Sequence, residues 1–397
     1  MSIKAYSIRI NGIVQGVGFR PHVYRLAMEL DLKGWVLNSS GGVFLEVEGE
    51  EDSLRDFMQH LQNDPPSRAL ISSCEMHEIP PGGFNDFTIR QSDDNGGTMV
   101  TIFPDIAVCT ECKEEVSDAQ DRRYRYPFAN CANCGPRFTI IKDLPYDRAV
   151  TNLAPFPMCP ECRSEFVNPR NRRFHAQPNA CPVCGPRVTL VDSRGRPVNQ
   201  EVHDLLKAGC VVAVKGLGGF HLAVNARDEG AVMRLRRRKR RDAKPFAVMV
   251  RDLATAHQHC VISAGEEELL SSPAAPVVIL ERRVDSPLPA EAIHPGLKTL
   301  GVMLPYTPLH CLLFDSELSI LVMTSANISG EPLITRNEEA LEKLGDVADC
   351  YLLHNREIYN PCDDSVVQFT RLKTVHLFRR ARGFVPGSIP LGTPAQP

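Results

Sequence analysis

Over the first 91 residues the spacing of apolar positions changes in a regular order. Residues 5–10 read as a strand that stops at Asn11-Gly12. Val23, Leu26, Ala27 and Leu30 then recur at helical spacing, with Pro21 expected to open the helix. Residues 34–38 and 43–48 read as a strand pair, and Leu54, Phe57, Met58 and Leu61 as one face of a second helix. Residues 84–90 are expected to supply the last strand. This β-α-β-β-α-β order is the split βαβ, ferredoxin-like plan. A polar linker is expected over 92–98. From residue 195 onward β-branched runs alternate with helical patterns. Strands are predicted at 211–214, 246–250, 277–280 and 320–323, and helices at 229–238 and 335–344, an α/β or α+β arrangement. Residues 387–397 read as an unstructured tail.

The stretch between, residues 99–190, is an internal repeat with a period of 50. Cys109, Cys112, Cys131 and Cys134 recur as Cys159, Cys162, Cys181 and Cys184. Arg122-Arg123-Tyr124 recurs as Arg172-Arg173-Phe174, and Gly135-Pro136-Arg137 as Gly185-Pro186-Arg187. Two copies of one small unit explain this most simply. The expected units are therefore 1–91, 99–190 and 195–385, with 386–397 as a linker or tail.

Composition narrows the function classes. The 397 residues are 43% hydrophobic and 23% charged, enough apolar material for several cores. No apolar run approaches the length of a membrane-spanning helix, so no membrane partner is expected. The net charge of −3 excludes a globally basic nucleic-acid binder, though not a local patch. The first residues lack the apolar stretch of a secretory leader, and a cytoplasmic location is expected. There the 14 cysteines stay reduced, and paired ones point to metal. Each repeat has the spacing C-x2-C-x18-C-x2-C, four thiolates suited to a closed, structural zinc site. Two zinc ions are expected, with an iron–sulfur cluster as the competing reading. The six single cysteines read as inert buried thiols.

Two constellations suggest phosphate chemistry. Gln15, Gly16, Val17, Gly18 and Phe19 join the first strand to the first helix and lead into Arg20. Two glycines, a helix N-terminus and a guanidinium can cradle an anion, but the spacing alone leaves a plain turn open. In the third unit no P-loop is present. Three segments carry candidate contacts instead: Lys215 to His221, Lys239 to Pro245, and Thr324 to Pro332. Residues 234–241 hold six Arg and one Lys, which also fits a solvated helix end or a nucleic-acid patch.

The run from Gly12 to Arg20 followed by Gly34-Trp35-Val36-Leu37-Asn38 resembles the acylphosphatase family over residues 1–91. The resemblance implies that Arg20 and the loop hold a phosphate and that Asn38 orients the attacking water. Lys239, Arg241, Ser325 and Asn327 match the K-x-R and S-x-N hallmark of the YrdC-like fold over about residues 200–385. That resemblance implies an ATP and carbamoyl-adenylate site drawing on Lys215, His221, Lys244, Thr324, Ser365 and Arg379 as well, with Arg380 and Arg382 as alternatives to Arg379. The order of the three units resembles the HypF family of hydrogenase-maturation carbamoyltransferases. Shared phrases include Arg173-Phe174-His175-Ala176-Gln177-Pro178 and Leu304-Pro305-Tyr306-Thr307-Pro308-Leu309-His310. The implied fold is multi-domain α+β: a ferredoxin-like acylphosphatase domain, tandem four-cysteine zinc modules and a YrdC-like α/β domain. The implied chemistry is cleavage of carbamoyl phosphate and adenylation of carbamate by ATP with magnesium. A HypE-type acceptor protein is the implied partner, reached through a further Kae-type domain that the family carries. This chain is expected to be a fragment or a naturally short form. One departure is Tyr359-Asn360-Pro361-Cys362, where the family more usually has an arginine pair; the roles of His175 and His221 stay open. The alternatives are a threonylcarbamoyl-adenylate synthase and a zinc-ribbon nucleic-acid or scaffold protein. The zinc repeats and the acylphosphatase-like front argue against the first, and no nucleic-acid partner is expected.

Overall fold

The computed structural model describes residues 3–66, 68–93, 102–327 and 331–389. Residues 94–98 of the expected linker, 328–330 of the third phosphate segment and 390–397 of the expected tail lie outside them.

The first unit comprises β1 (Ile3–Ile13), α1 (Phe19–Glu29), β2 (Lys33–Ser39), β3 (Gly42–Glu50), α2 (Glu51–Asn63), β4 (Leu70–Ile79) and β5 (Phe87–Ile89). The sheet order is β4-β1-β3-β2-β5. Ile8, Ile10, Val36, Leu45 and Val47 face Val23 and Leu26 of α1 and Leu54, Phe57 and Leu61 of α2 in one core. Two expectations change. The fourth strand of the ferredoxin-like plan is β4, antiparallel to β1. The stretch expected to supply it shrinks to β5, an extra edge strand parallel to β2. β4 escapes a pattern reading because it is a largely exposed edge strand with no buried face, and its register against β1 shifts at Asn11/Gly12. Helix α1 also opens at Phe19, two residues before Pro21, which occupies a first-turn position where no N–H is required.

The repeat region holds little regular structure: α3 (Thr110–Ser117), α4 (Pro160–Val167) and short 3-10 turns. Each helix starts directly after the first cysteine of its repeat. The backbone repeats too, since Arg125 (φ 54°) and His175 (φ 53°) are both left-handed and stand 50 residues apart.

The third unit is built on one mixed sheet. Its strands are β6 (Val188–Asp192), β7 (Val212–Lys215), β8 (Phe220–Asn225), β9 (Ala247–Val250), β10 (Cys260–Val261), β11 (Val277–Arg282), β12 (Thr299–Met303), β13 (Ile320–Ser325), β14 (Cys350–His354), β15 (Val366–Phe369) and β16 (Val375–Arg379). The order is β16-β15-β11-β12-β9-β13-β8-β7-β14-β6, with β10 on β11. Along β8 and β13 successive side chains feed two cores, Leu222 and Val322 on one side, Ala223 and Leu321 on the other. Burial on both faces explains why these strands read as unbroken apolar runs. Helix α5 (Val202–Lys207) precedes β7, and α6 (Glu229–Arg238) follows β8, capped by the Asp228 side chain on the Ala231 N–H at 2.9 Å. The expected loop from Lys215 to His221 ends inside β8, a strand the pattern reading omitted. β6 pairs with β14, so the sheet takes its edge from residues that follow directly on the second cysteine repeat. Among the described residues no helix is long and apolar enough to cross a membrane.

Candidate functional sites

The eight repeat cysteines form two groups, each drawn from one repeat. Sulfur–sulfur distances are 3.6 to 3.8 Å in the first, from Cys134 to Cys112 and from Cys109 to Cys131, and 3.7 to 3.8 Å in the second. Four thiolates around zinc at about 2.3 Å would stand about 3.8 Å apart, so both groups fit a tetrahedral ion. The surroundings are crossed between repeats. Arg172 of the second repeat donates to Cys112 Sγ at 2.7 Å and Cys109 Sγ at 3.7 Å in the first. Arg122 of the first donates to Cys159 Sγ at 3.5 Å and Cys162 Sγ at 3.6 Å in the second. Glu115 pairs with Arg172 and Arg173, and Glu165 with Arg122 and Arg123. Each four-thiolate centre, at −2 with zinc bound, thus has its counter-charge on the other copy.

The first phosphate candidate is a small pocket between the first unit and the repeats. Gly16, Gly18, Arg20 and Asn38 line one side, Tyr146 and His175 the other. Left-handed Gly16 (φ 74°) and Gly18 (φ 77°) bend the loop into α1, whose first-turn amides have no helical acceptor. Arg20 is only 7% exposed. Its Nη2 donates to Asp147 Oδ1 at 2.7 Å and its Nη1 to Ser92 Oγ at 3.1 Å. Asn38 is 2% exposed, and its Oδ1 has no hydrogen-bond partner among the described residues. An orphaned acceptor in a polar pocket suits a bound water. Burial first, and Arg20 second, lower His175 to about 4, leaving a neutral imidazole.

The loop side chains have other duties. Gln15 Nε2 donates to Ser39 O at 2.7 Å and Gly42 O at 3.2 Å, and its Oε1 accepts from the Tyr146 N–H at 3.1 Å. Val17 and Phe19 belong to the core. These three positions therefore offer an anion only their backbone. Arg137 ties the loop to the first metal group, donating to Gly16 O at 2.6 Å and Cys134 O at 3.1 Å. Asp147, Ser92 and Arg137 join the site without being among the residues that the sequence suggests. Arg137 carried a signal, the repeated Gly-Pro-Arg, whereas Asp147 and Ser92 carried none.

The second candidate is a cavity of about 440 Å³ in the third unit. Arg241, Lys244, Thr324, Ser325, Arg379 and the carboxylates Asp363 and Asp364 are among its polar lining, and Ile279, Met303 and Phe378 among its apolar lining. Lys239 Nζ donates to Ser325 O and Asn327 O, both at 2.7 Å, and Ser325 Oγ donates to Asn327 Oδ1 at 2.9 Å. Burial, then Arg241 and Lys244, bring Lys239 down to about 8. Arg241 lies over the Phe246 ring at 4.9 Å and donates to Thr324 Oγ1 at 3.3 Å. Burial, then Arg236, lower it to about 10.

The remaining expected contacts are dispersed. Arg379 lines the cavity and pairs with Asp363, whereas Arg380 donates to Phe384 O at 3.0 Å and Arg382 is fully buried. Lys215 is not among the lining residues; it donates to Asn337 Oδ1 at 2.9 Å and His354 O at 3.2 Å. Ser365 is wholly buried, bridging Arg382 O and the Ala381 N–H at 2.8 Å each. His221 stands one residue back from the cavity, with Nε2 at 2.9 Å from Asp364 Oδ2. Burial pushes the Asp364 carboxyl up, but Arg382 and then His221 hold it far below the usual carboxylate range. Asn360 donates to Phe138 O at 2.7 Å and Ile141 O at 3.1 Å, so the unusual segment 359–362 stitches the third unit to the first repeat.

Comparison with known proteins follows the same division. Residues 6–89 match the Acylphosphatase family, 108–141 and 158–191 the HypF finger, and 204–381 the Sua5/YciO/YrdC family described as Telomere recombination. Carbamoyltransferase HypF2 of Cupriavidus necator is 48% identical over 97% of this chain and 50% of its own length. Carbamoyltransferase HypF of Synechocystis sp. is 48% identical over 99% of this chain and 52% of its own. The solved structure described as "full-length HypF in the phosphate- and nucleotide-bound form" superposes at a TM-score of 0.92, with 49% identity over 97% of this chain and 51% of that one. The chain thus spans about half the length of the curated relatives it matches, and it belongs to the HypF family.

Proposed function

We propose that the chain cleaves carbamoyl phosphate and adenylates the resulting carbamate with ATP, for cyanide-ligand synthesis in nickel–iron hydrogenase maturation. The observation that carries this is the presence in one chain of two separate cavities with cations at their walls, the Arg20–Asn38 pocket and the cavity lined by Arg241, Lys244 and Arg379, with Lys239 outside its lining and bonded to Ser325 O. At the first, the loop amides and Arg20 take the phosphoryl oxygens, and Asp147 and Ser92 hold the guanidinium ready. Asn38 places a water against phosphorus; the P–O bond to the acyl group breaks, and carbamate leaves. Little general-base strength is needed, because the mixed anhydride is already activated. At the second site a carbamate oxygen attacks the α-phosphorus of ATP and pyrophosphate departs. Lys239, Arg241 and Lys244 offset the charge that develops there, alongside the magnesium that accompanies the nucleotide as substrate. Zinc in the two cysteine groups would hold the repeats in shape and supply no reaction step. The carbamoyl unit would pass to a HypE-type acceptor protein. The test is carbamoyl-phosphate-dependent release of pyrophosphate from ATP by this chain. Release that ignores carbamoyl phosphate overturns the reading.

A further inference from the structure

The Arg20–Asn38 pocket is cramped. It has about 30 Å³ of free space, room for one or two waters, and its two central side chains are almost fully buried. A wider cleft of about 380 Å³ shares Gly18, Pro21 and Ala132 with it. His22 and Arg25 of α1, Arg68 before β4, and Cys109, Glu111 and Asn133 of the first repeat line that cleft. Two nitrogens there, His22 Nε2 and Arg68 Nη1, are buried with no hydrogen-bond partner among the described residues. The Arg68 nitrogen is a donor, and the His22 nitrogen donates or accepts according to the tautomer; buried polar groups left unsatisfied are costly, and each calls for an explanation. Glu111 and Cys109, the latter a member of the first four-cysteine group, stand in the lining against two guanidiniums. At the shared wall a Cβ built on Gly18 would meet no atom within 4 Å, so open space adjoins the loop there.

We propose that this cleft is a phosphate-binding vestibule, in which Arg25, Arg68 and His22 hold a phosphate dianion one step away from Arg20. The dianion arrives as the acyl phosphate or leaves as inorganic phosphate. This rests on the acyl-phosphate reading of the Arg20 pocket, and its test is therefore split. In the first arm, carbamoyl phosphate hydrolysis is measured across ionic strength for the full chain and for Arg25→Gln and Arg68→Gln. The expected result is a fall in kcat/KM of about 3- to 10-fold, a flatter salt dependence and undiminished zinc content. A rise in KM alone identifies capture of substrate; a fall in kcat with weaker inhibition by phosphate identifies product exit. Unchanged kcat, kcat/KM, salt dependence and phosphate inhibition in both variants overturn the proposal. So does a defect confined to Arg68→Gln and accompanied by zinc loss, since Arg68 would then serve the repeat. The second arm titrates inorganic phosphate into the Arg20→Ala chain, where no turnover enters. Binding that Arg25→Gln and Arg68→Gln remove supports the vestibule, and no binding overturns it, whatever becomes of the catalytic reading.

Discussion

Arg20 meets Asp147 across 127 residues of chain, and that contact sets what each group can do. A guanidinium anchored by a carboxylate and a serine is already oriented when an anion arrives. Arg20→Ala is expected to lower carbamoyl phosphate hydrolysis about 100-fold or more while leaving zinc content and the circular dichroism spectrum unchanged; phosphate release measures it. His175 provides a second test. Its folded value of about 4 lies below the ordinary 6.5, so between those pH values the unfolded chain binds a proton that the folded chain refuses. Stability should therefore rise from pH 4 to 6.5, and His175→Phe should flatten that limb in urea midpoints taken across the window. Arg20 is marked locally by the loop glycines before it, whereas Asn38 reads locally as a strand-end turn residue and is suggested as a site residue only by the resemblance to acylphosphatases. Asp147 has no mark in the sequence, because its role exists only once two units touch. Ser365 and Lys215 show the converse: motif neighbours whose polar atoms are committed to backbone and side-chain partners of the fold.

At the scale of elements the crossed arginines matter most. Metal binding is folding energy in such small modules, so Cys131→Ser should lose its own ion and unfold the first repeat. The crossing adds a sharper expectation. Arg172→Ala, a change in the second repeat, should speed zinc loss to a chelator from the first, and Arg122→Ala the reverse. The measurement is chelator-competition kinetics, in which two independent sites would show only the release belonging to the mutated copy. The repeat and its ligand spacing were plain in the sequence because a period of 50 needs no tertiary knowledge. The crossing was invisible, since Arg122-Arg123 and Arg172-Arg173 look alike whether they serve their own copy or the other. Strands divide the same way. β13 begins as a short, fully apolar run, whereas β4, largely exposed and shifted in register, has no buried period to read.

Over the whole molecule each proposed phosphate site has its own cations, and the two should fail independently. Lys239→Ala is expected to keep phosphate release from carbamoyl phosphate at the parent rate and to lose carbamate-dependent exchange of pyrophosphate into ATP. Loss of both activities would mean that the two sites are coupled. The order of the units could be read from the sequence, but their seams could not. Arg137 on Gly16, Asn360 on Phe138 and β6 on β14 are contacts between positions that no local pattern connects. The last of these seams bears on how such a protein can change through descent. A unit hung on a loose tether can be lost, duplicated or exchanged by recombination without harm to its neighbours. A repeat that runs straight into a strand of the adjoining sheet cannot be removed without unpicking that sheet's edge, and inheritance must keep the two together.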